Sequence, residues 1–239
     1  MSARLHNVAA RCWYALARFV VGAPLRTLFR LRAEGLENVP REGPVIFASN
    51  HMSYIDPPAI GVACPRMIHF MAKKSLFAFM PVRALVASLG AFPVDRSKAD
   101  RKALAKALDL LASGSALGIF PEGSRGKDAL GQGQEGTAWL SIKAGCPVTP
   151  VAVVRTRRVA LHGVPLAPRG FVIRFGKPIE PAGSSRGTHV KDKPLMATPA
   201  GETPITSGRR YREIVTVEIM RGIHDLLVDE STEEGEADG

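Results

Sequence analysis

Acidic residues are missing from the first 33 positions of this 239-residue chain, which instead carry six arginines (Arg4, Arg11, Arg18, Arg26, Arg30 and Arg32). No C-x-x-C pair occurs, and the three cysteines, Cys12, Cys64 and Cys146, stand far apart. That excludes a disulfide framework and a zinc module, leaves apolar packing as the expected role of each thiol, and fits a reducing compartment. Long apolar runs are missing too. The cleanest near the start, residues 19–25, falls far short of the roughly 20 residues that a membrane span needs. Arg11 and Arg18 interrupt what would otherwise be a signal-peptide core, so secretion is not expected. No helix-turn-helix or aromatic-interleaved basic patch accompanies the positive charge, which argues against a nucleic-acid partner.

What is there reads as one globular domain of ordinary composition, long enough to bury a sizeable core. The net charge of +10 points to an anionic partner, whether headgroup, phosphorylated metabolite or nucleic acid. Its distribution is uneven. Residues 229–239 hold six acids and no base, and read as a solvated acidic tail.

Residues 5–22 have the spacing of an amphipathic helix, with Leu5, Val8, Cys12, Trp13, Leu16, Phe19 and Val20 recurring every three or four positions. Arg4, Arg11 and Arg18, seven apart, form one stripe. Gly22 and Pro24 are expected to break the helix, with a second short turn over 25–31. A Trp/Phe/Leu face beside arginines is the composition of an interfacial membrane helix, so residues 1–30 are expected to dock on an anionic membrane surface. The plainer reading is a helix packed on the domain with its arginines in water.

From Leu31 onward, short apolar runs alternate with helical patterns. Strands are expected at 45–49, 67–71, 91–94, 116–120, 148–154 and 171–175. Helices are expected from Asp56-Pro57, with Asp56 as N-cap, and over 81–89, 98–113, 136–144 and 209–228. This alternation predicts an α/β fold: a mixed, largely parallel sheet flanked by helices, spanning residues 31–228. Residues 183–208, rich in Gly, Ser, Thr, Pro and Lys, read as a mobile loop.

Three loops at strand ends carry residues suited to chemistry. In Ser49-Asn50-His51-Met52-Ser53-Tyr54-Ile55-Asp56-Pro57, five residues separate an imidazole from a carboxylate. A carboxylate on one ring nitrogen fixes the tautomer and leaves the other nitrogen free to act as a base. In Gly90-Ala91-Phe92-Pro93-Val94-Asp95-Arg96, Arg96 follows a short strand. Phe120-Pro121-Glu122-Gly123-Ser124-Arg125-Gly126 is a glycine-bearing turn with its own arginine. Exposed backbone N–H groups and guanidinium forks both suit a phosphate. Each motif also has a bland reading: Asp before Pro is an ordinary cap, Pro-Glu-Gly an ordinary turn, and a surface arginine is usually solvated.

Taken together and in this order, with Val-Thr-Pro-Val-Ala at 148–152 as a fourth motif, the segments resemble the glycerolipid acyltransferase family, nearest to its bacterial 1-acyl-glycerol-3-phosphate acyltransferases. The resemblance runs from about residue 31 to 180. It implies an O-acyltransferase in which His51 deprotonates an acceptor hydroxyl and Asp56 orients His51. Asn50 and Ser53 would shape the loop, Arg96 would bind the acceptor phosphate, and Glu122, Gly123, Ser124 and Arg125 would complete the acceptor site. Residues 148–151 would line the acyl-donor side. The resemblance further implies acyl-CoA or acyl carrier protein as donor, a lysophospholipid acceptor, no metal or other cofactor, and a peripheral position on the cytoplasmic face of the membrane. Ser124 stands where the family usually has Thr, and the lysine many members carry just after this motif has no counterpart in Gly133-Gln134-Glu135-Gly136. Three alternatives stay open: another lysophospholipid, lyso-ornithine-type lipid or polyol as acceptor; an esterase or thioesterase using Ser53 or Ser124; and a non-enzymatic basic binding protein.

Overall fold

The computed structural model describes residues 2–95, 100–123, 130–154, 170–181 and 208–228, with the side chains of residues 2–12 and Val82 left aside. Helix α1 (Ser2–Thr27) is followed by strand β1 (Arg32–Glu34). The core unit then runs β2 (Val45–Ser49), α2 (Asp56–Ala63), β3 (Ile68–Lys73), α3 (Met80–Ser88), β4 (Phe92–Val94), α4 (Arg101–Ala112), β5 (Ala116–Ile119), α5 (Gly136–Ala144) and β6 (Val148–Val154). Strand β7 (Val172–Phe175) and helix α6 (Arg209–Val228) close the fold. The expected loop at 183–208 (all but Gly208) and the acidic tail lie outside the described residues.

The seven strands form one sheet in the order β1-β7-β6-β2-β5-β3-β4. Every neighbouring pair is parallel except β6 and β7. The expected α/β class with a mixed, largely parallel sheet is therefore the one observed. Both faces are covered, which is why every residue of β2 and β6 is buried and all but Ser49 and Thr149 are apolar. Phe47, Ile60, Ile68 and Phe171 fill the side under α1 and α2. Ile46, Leu111, Leu117, Leu140, Ile219 and Ile223 fill the side under α4, α5 and α6.

The sheet has a switch point between its neighbours β2 and β5. The chain leaves β2 into α2 on one face and leaves β5 toward α5 on the other. The two exit loops therefore part, opening a crevice at the carboxyl ends of the strands, where α/β sheets place their sites.

Three sequence expectations need correction. Helix α1 does not stop at Gly22 or Pro24 but runs to Thr27. Gly22 is where α1 meets α2: a Cβ there would sit 3.0 Å from a Val62 methyl, so the absent side chain permits a close crossing. Burial of Leu25 beyond it outweighs the hydrogen bond that Pro24 cannot donate. Arg18 does not belong to a solvent stripe either. Its Nε and NH2 group lie 3.3 and 2.9 Å from the Val62 carbonyl near the end of α2, where Arg26 also donates at 3.2 Å. Cations at a helix C-terminus are favourable, and here they fasten α1 to the domain. Third, the Arg-Ala-Glu strand β1 was not expected; it has no apolar alternation to betray it and is held by pairing with β7.

Gly118 in β5 lies directly beneath the Phe70 ring of β3, which a Cβ would strike. We predict that Gly118→Val overpacks this spot and lowers stability by about 1–3 kcal/mol. Thermal melting checks this, and an unchanged midpoint would contradict it.

Candidate active site

Three short elements bring the site together. Where β2 leaves the sheet, Asn50 extends the pairing with β6 through its side chain. Its Nδ2 donates to the Val153 carbonyl at 2.9 Å and its Oδ1 accepts the Val153 N–H at 2.7 Å. This anchors the residue before His51 to the sheet. Asn50, expected to shape the loop, thus directs its amide at β6.

His51 and Asp56 meet as their spacing suggests. The imidazole Nδ1 lies 2.9 Å from Asp56 Oδ2. The same oxygen accepts the backbone N–H groups of Met52 and Ser53, each at 2.7 Å. Asp56 is fully buried, and its other oxygen, Oδ1, has no partner among the described residues. The capping expectation is corrected: α2 starts at Asp56 itself, Ile55 is the N-cap, and the carboxylate reaches back into the loop instead of forward to the helix N–H groups. Three donors on one oxygen fix the carboxylate, and through it the ring. With Nδ1 donating to Asp56, Nε2 is left unprotonated and able to take a proton.

The loop after β5 supplies the opposite wall. Phe120 stacks on the His51 ring, centroids 4.1 Å apart. Glu122 Oε1 accepts the His51 backbone N–H at 3.0 Å, and its Oε2 accepts the Gly131 N–H at 3.0 Å. The carboxylate that the sequence offered as an acceptor ligand therefore ties the two loops of the crevice together. Gly123 adopts φ +69°, a left-handed conformation that favours glycine, and lies against the Gln134 side chain. Ser53 is buried, and its hydroxyl accepts the Ile55 N–H at 3.4 Å instead of bonding to His51, which removes the support for a serine nucleophile there. Arg96, Ser124 and Arg125 lie outside the described residues. Among the described residues, no cluster of His, Cys, Asp and Glu is placed to hold a metal ion.

His51 opens onto a cavity of about 500 Å³ with a mainly apolar lining. Its walls include Tyr14, Arg18 and Val21 of α1, Val62 of α2, Phe70 of β3, and Leu85 and Val86 of α3. The register pairs Ile68 with Ala116, four residues before Phe120. The cavity therefore runs about 13 Å down the sheet from Phe120 to Ile68, at roughly 3.3 Å per residue. Burial pushes the Tyr14 phenol above its ordinary range. Sequence reasoning missed Tyr14, Arg18 and Phe70 as cavity residues, because each comes from a different element with no shared motif. Phe120 stood within a recognised motif, and its place beside His51 is its only further signal.

Glu122→Gln would set an amide N–H₂ against one of the two backbone N–H groups it now accepts, at a local cost of about 1–3 kcal/mol. We expect amide hydrogen exchange at His51 or Gly131 to speed up about ten- to a hundredfold. Unchanged protection at both amides would refute the tie.

Several known acyltransferases are similar to this chain. The chain is 31% identical over 117 residues to the 1-acyl-sn-glycerol-3-phosphate acyltransferase of Bacillus subtilis, covering 48% of this chain and 58% of that one. It is 30% identical over 170 residues to the lyso-ornithine lipid O-acyltransferase of Pseudomonas aeruginosa, covering 70% and 60%. The chain spans about half the length of the curated relatives it matches. The crystal structure of the 1-acyl-sn-glycerophosphate acyltransferase PlsC from Thermotoga maritima superposes with a TM-score of 0.67 at 22% identity, over 92% of this chain and 83% of that one, and so has the same fold. The acyltransferase family model matches residues 30–154, more than half of the chain, including His51, Asp56 and Glu122. This chain belongs to the acyltransferase family.

Proposed function

We propose that this chain transfers a fatty acyl group from acyl-CoA or acyl carrier protein to the free sn-2 hydroxyl of 1-acyl-glycerol-3-phosphate, giving phosphatidic acid. The observation that carries the reading is a His51–Asp56 pair, 2.9 Å apart, at the mouth of an apolar cavity. The cavity takes an acyl chain and excludes water from the reacting carbonyl. His51 Nε2 removes the proton of the acceptor hydroxyl as its oxygen attacks the donor thioester. Asp56 stabilises the imidazolium that results, and the proton then leaves with the thiol. Glu122 and Asn50 hold the loops that carry this pair. Arg96 and Arg125 bind the phosphate, a role resting on their motifs. Residues 31–228 form the catalytic unit.

His51→Ala is expected to lose at least 10²–10⁴-fold in turnover while folding normally. Asp56→Asn keeps an oxygen for the Met52 and Ser53 N–H groups and sets its amide nitrogen where Oδ1 now has no partner. The neutral amide still accepts the His51 Nδ1–H but does not stabilise the imidazolium as a carboxylate does, so activity should fall by a similar factor with the melting temperature nearly unchanged. Near-wild-type transfer by folded His51→Ala would remove the mechanism. The Pseudomonas relative gives a second acceptor some weight: a lyso-ornithine lipid, which carries no phosphate. Acylation assays on both acceptors, with Arg96→Ala raising KM for the phosphorylated one alone, separate the two.

We also propose that α1 holds the enzyme on the cytoplasmic face of the cell membrane. Trp13, Leu16, Phe19 and Val20 are 52% to 71% exposed, on the side of α1 opposite Tyr14, Arg18 and Leu25. Among the described residues no helix is long and apolar enough to cross a membrane. Replacing Trp13 and Phe19 by Ser should weaken binding to anionic vesicles about tenfold with little change in melting temperature, since both side chains are largely exposed. Undiminished co-sedimentation would contradict docking by this face.

A further inference from the structure

The start of α3 carries a second exposed apolar patch that the membrane role of α1 does not use. Phe79 and Met80 are 65% and 67% exposed. Neither lines the cavity, although Leu85, Val86 and Leu89 farther along α3 do. Met80 and Leu89 are nine residues apart and so lie on opposite sides of the helix. The patch thus points away from the domain while its helix walls the cavity. Its place along the sheet follows from topology. Strand β3 ends at Lys73 at the carboxyl edge, the edge of His51, and α3 begins seven residues later.

Charge supports the same surface. Residues 57–94 contain no Asp or Glu, so α3 and the turn before it are as free of acid as α1. Lys73, Lys74 and Arg83, all exposed, flank Phe79 and Met80. Exposed apolar side chains with exposed cations on either side of them in the chain match an anionic bilayer, whose acyl region takes the apolar groups and whose headgroups meet the bases. An acidic carrier protein would satisfy the cations but leave the protruding Phe and Met unexplained.

We infer that the start of α3, through Phe79 and Met80 with Lys73, Lys74 and Arg83 around them, is a second membrane contact, which sets the cavity mouth against the bilayer so that lipid chains pass between membrane and cavity without crossing water. This rests on the acyltransferase reading for its purpose, but not for its test. The full chain carrying Phe79→Trp, with Trp13→Phe and Trp139→Phe to remove the native indoles, is mixed with phosphatidylglycerol–phosphatidylcholine vesicles bearing brominated acyl chains. The introduced indole is expected to shift to the blue and be quenched.

In parallel, Phe79→Ser with Met80→Ser should lower transfer to a long-chain acceptor held in such vesicles about tenfold, and leave kcat/KM for a short-chain, water-soluble acceptor unchanged. An unquenched indole at position 79, with native Trp13 quenched in the parent chain, would overturn the second contact and leave docking by α1 standing. An equal loss on the soluble acceptor would also overturn it. Quenching at position 79 without transfer to any acceptor would sustain the contact and sink the enzymatic reading.

Discussion

One carboxylate oxygen holds the centre of this molecule. Asp56 Oδ2 receives His51 Nδ1 and two successive backbone N–H groups, in a loop where His51, Ser53 and Asp56 are buried. Buried donors left without partners are expensive, so the loop has one conformation, and that conformation aims the imidazole into the crevice. Asn50 clamps the loop on its sheet side, Glu122 holds the His51 backbone from across the crevice, and Phe120 packs against the ring face. Each of these contacts fixes the position of a single side chain.

The fold explains why that side chain meets a cavity. Because β2 and β5 send their helices to opposite faces, their exit loops part and a crevice opens above their junction. Helix α1, fastened by Arg18 and Arg26 to the carbonyl of Val62, lies over α2 and helps wall the space down to Ile68. The same helix presents its opposite, apolar face outward. Cavity wall and exposed apolar surface are thus two sides of one element, which joins the proposed chemistry to the proposed site of work.

Much of this was legible in the chain, for reasons that differ by element. The runs at 45–49 and 148–154 announce buried strands because all but Ser49 and Thr149 are apolar, and α6 keeps a periodicity that tertiary packing had no reason to override. His51 and Asp56 could be paired because five residues of loop confine them. Glu122 could not be matched to His51 across 71 residues, because its partner is a backbone N–H that no side-chain pattern reveals. Strand β1 was invisible because Arg-Ala-Glu has no apolar alternation and the strand is held by pairing with β7. Arg18 was misread because a spacing of seven gives a helical stripe its direction only once a neighbour is known, and here the neighbour is the end of α2.

The central claim is that Asp56 keeps the His51 proton on Nδ1 and leaves Nε2 as the base. Nitrogen NMR of the labelled protein, recorded above the imidazole titration, reports the tautomer of each ring directly. His51 is expected to show a protonated Nδ1 and a bare Nε2, with the preference weakened in Asp56→Asn. A His51 ring carrying its proton on Nε2 in the wild-type chain would contradict it.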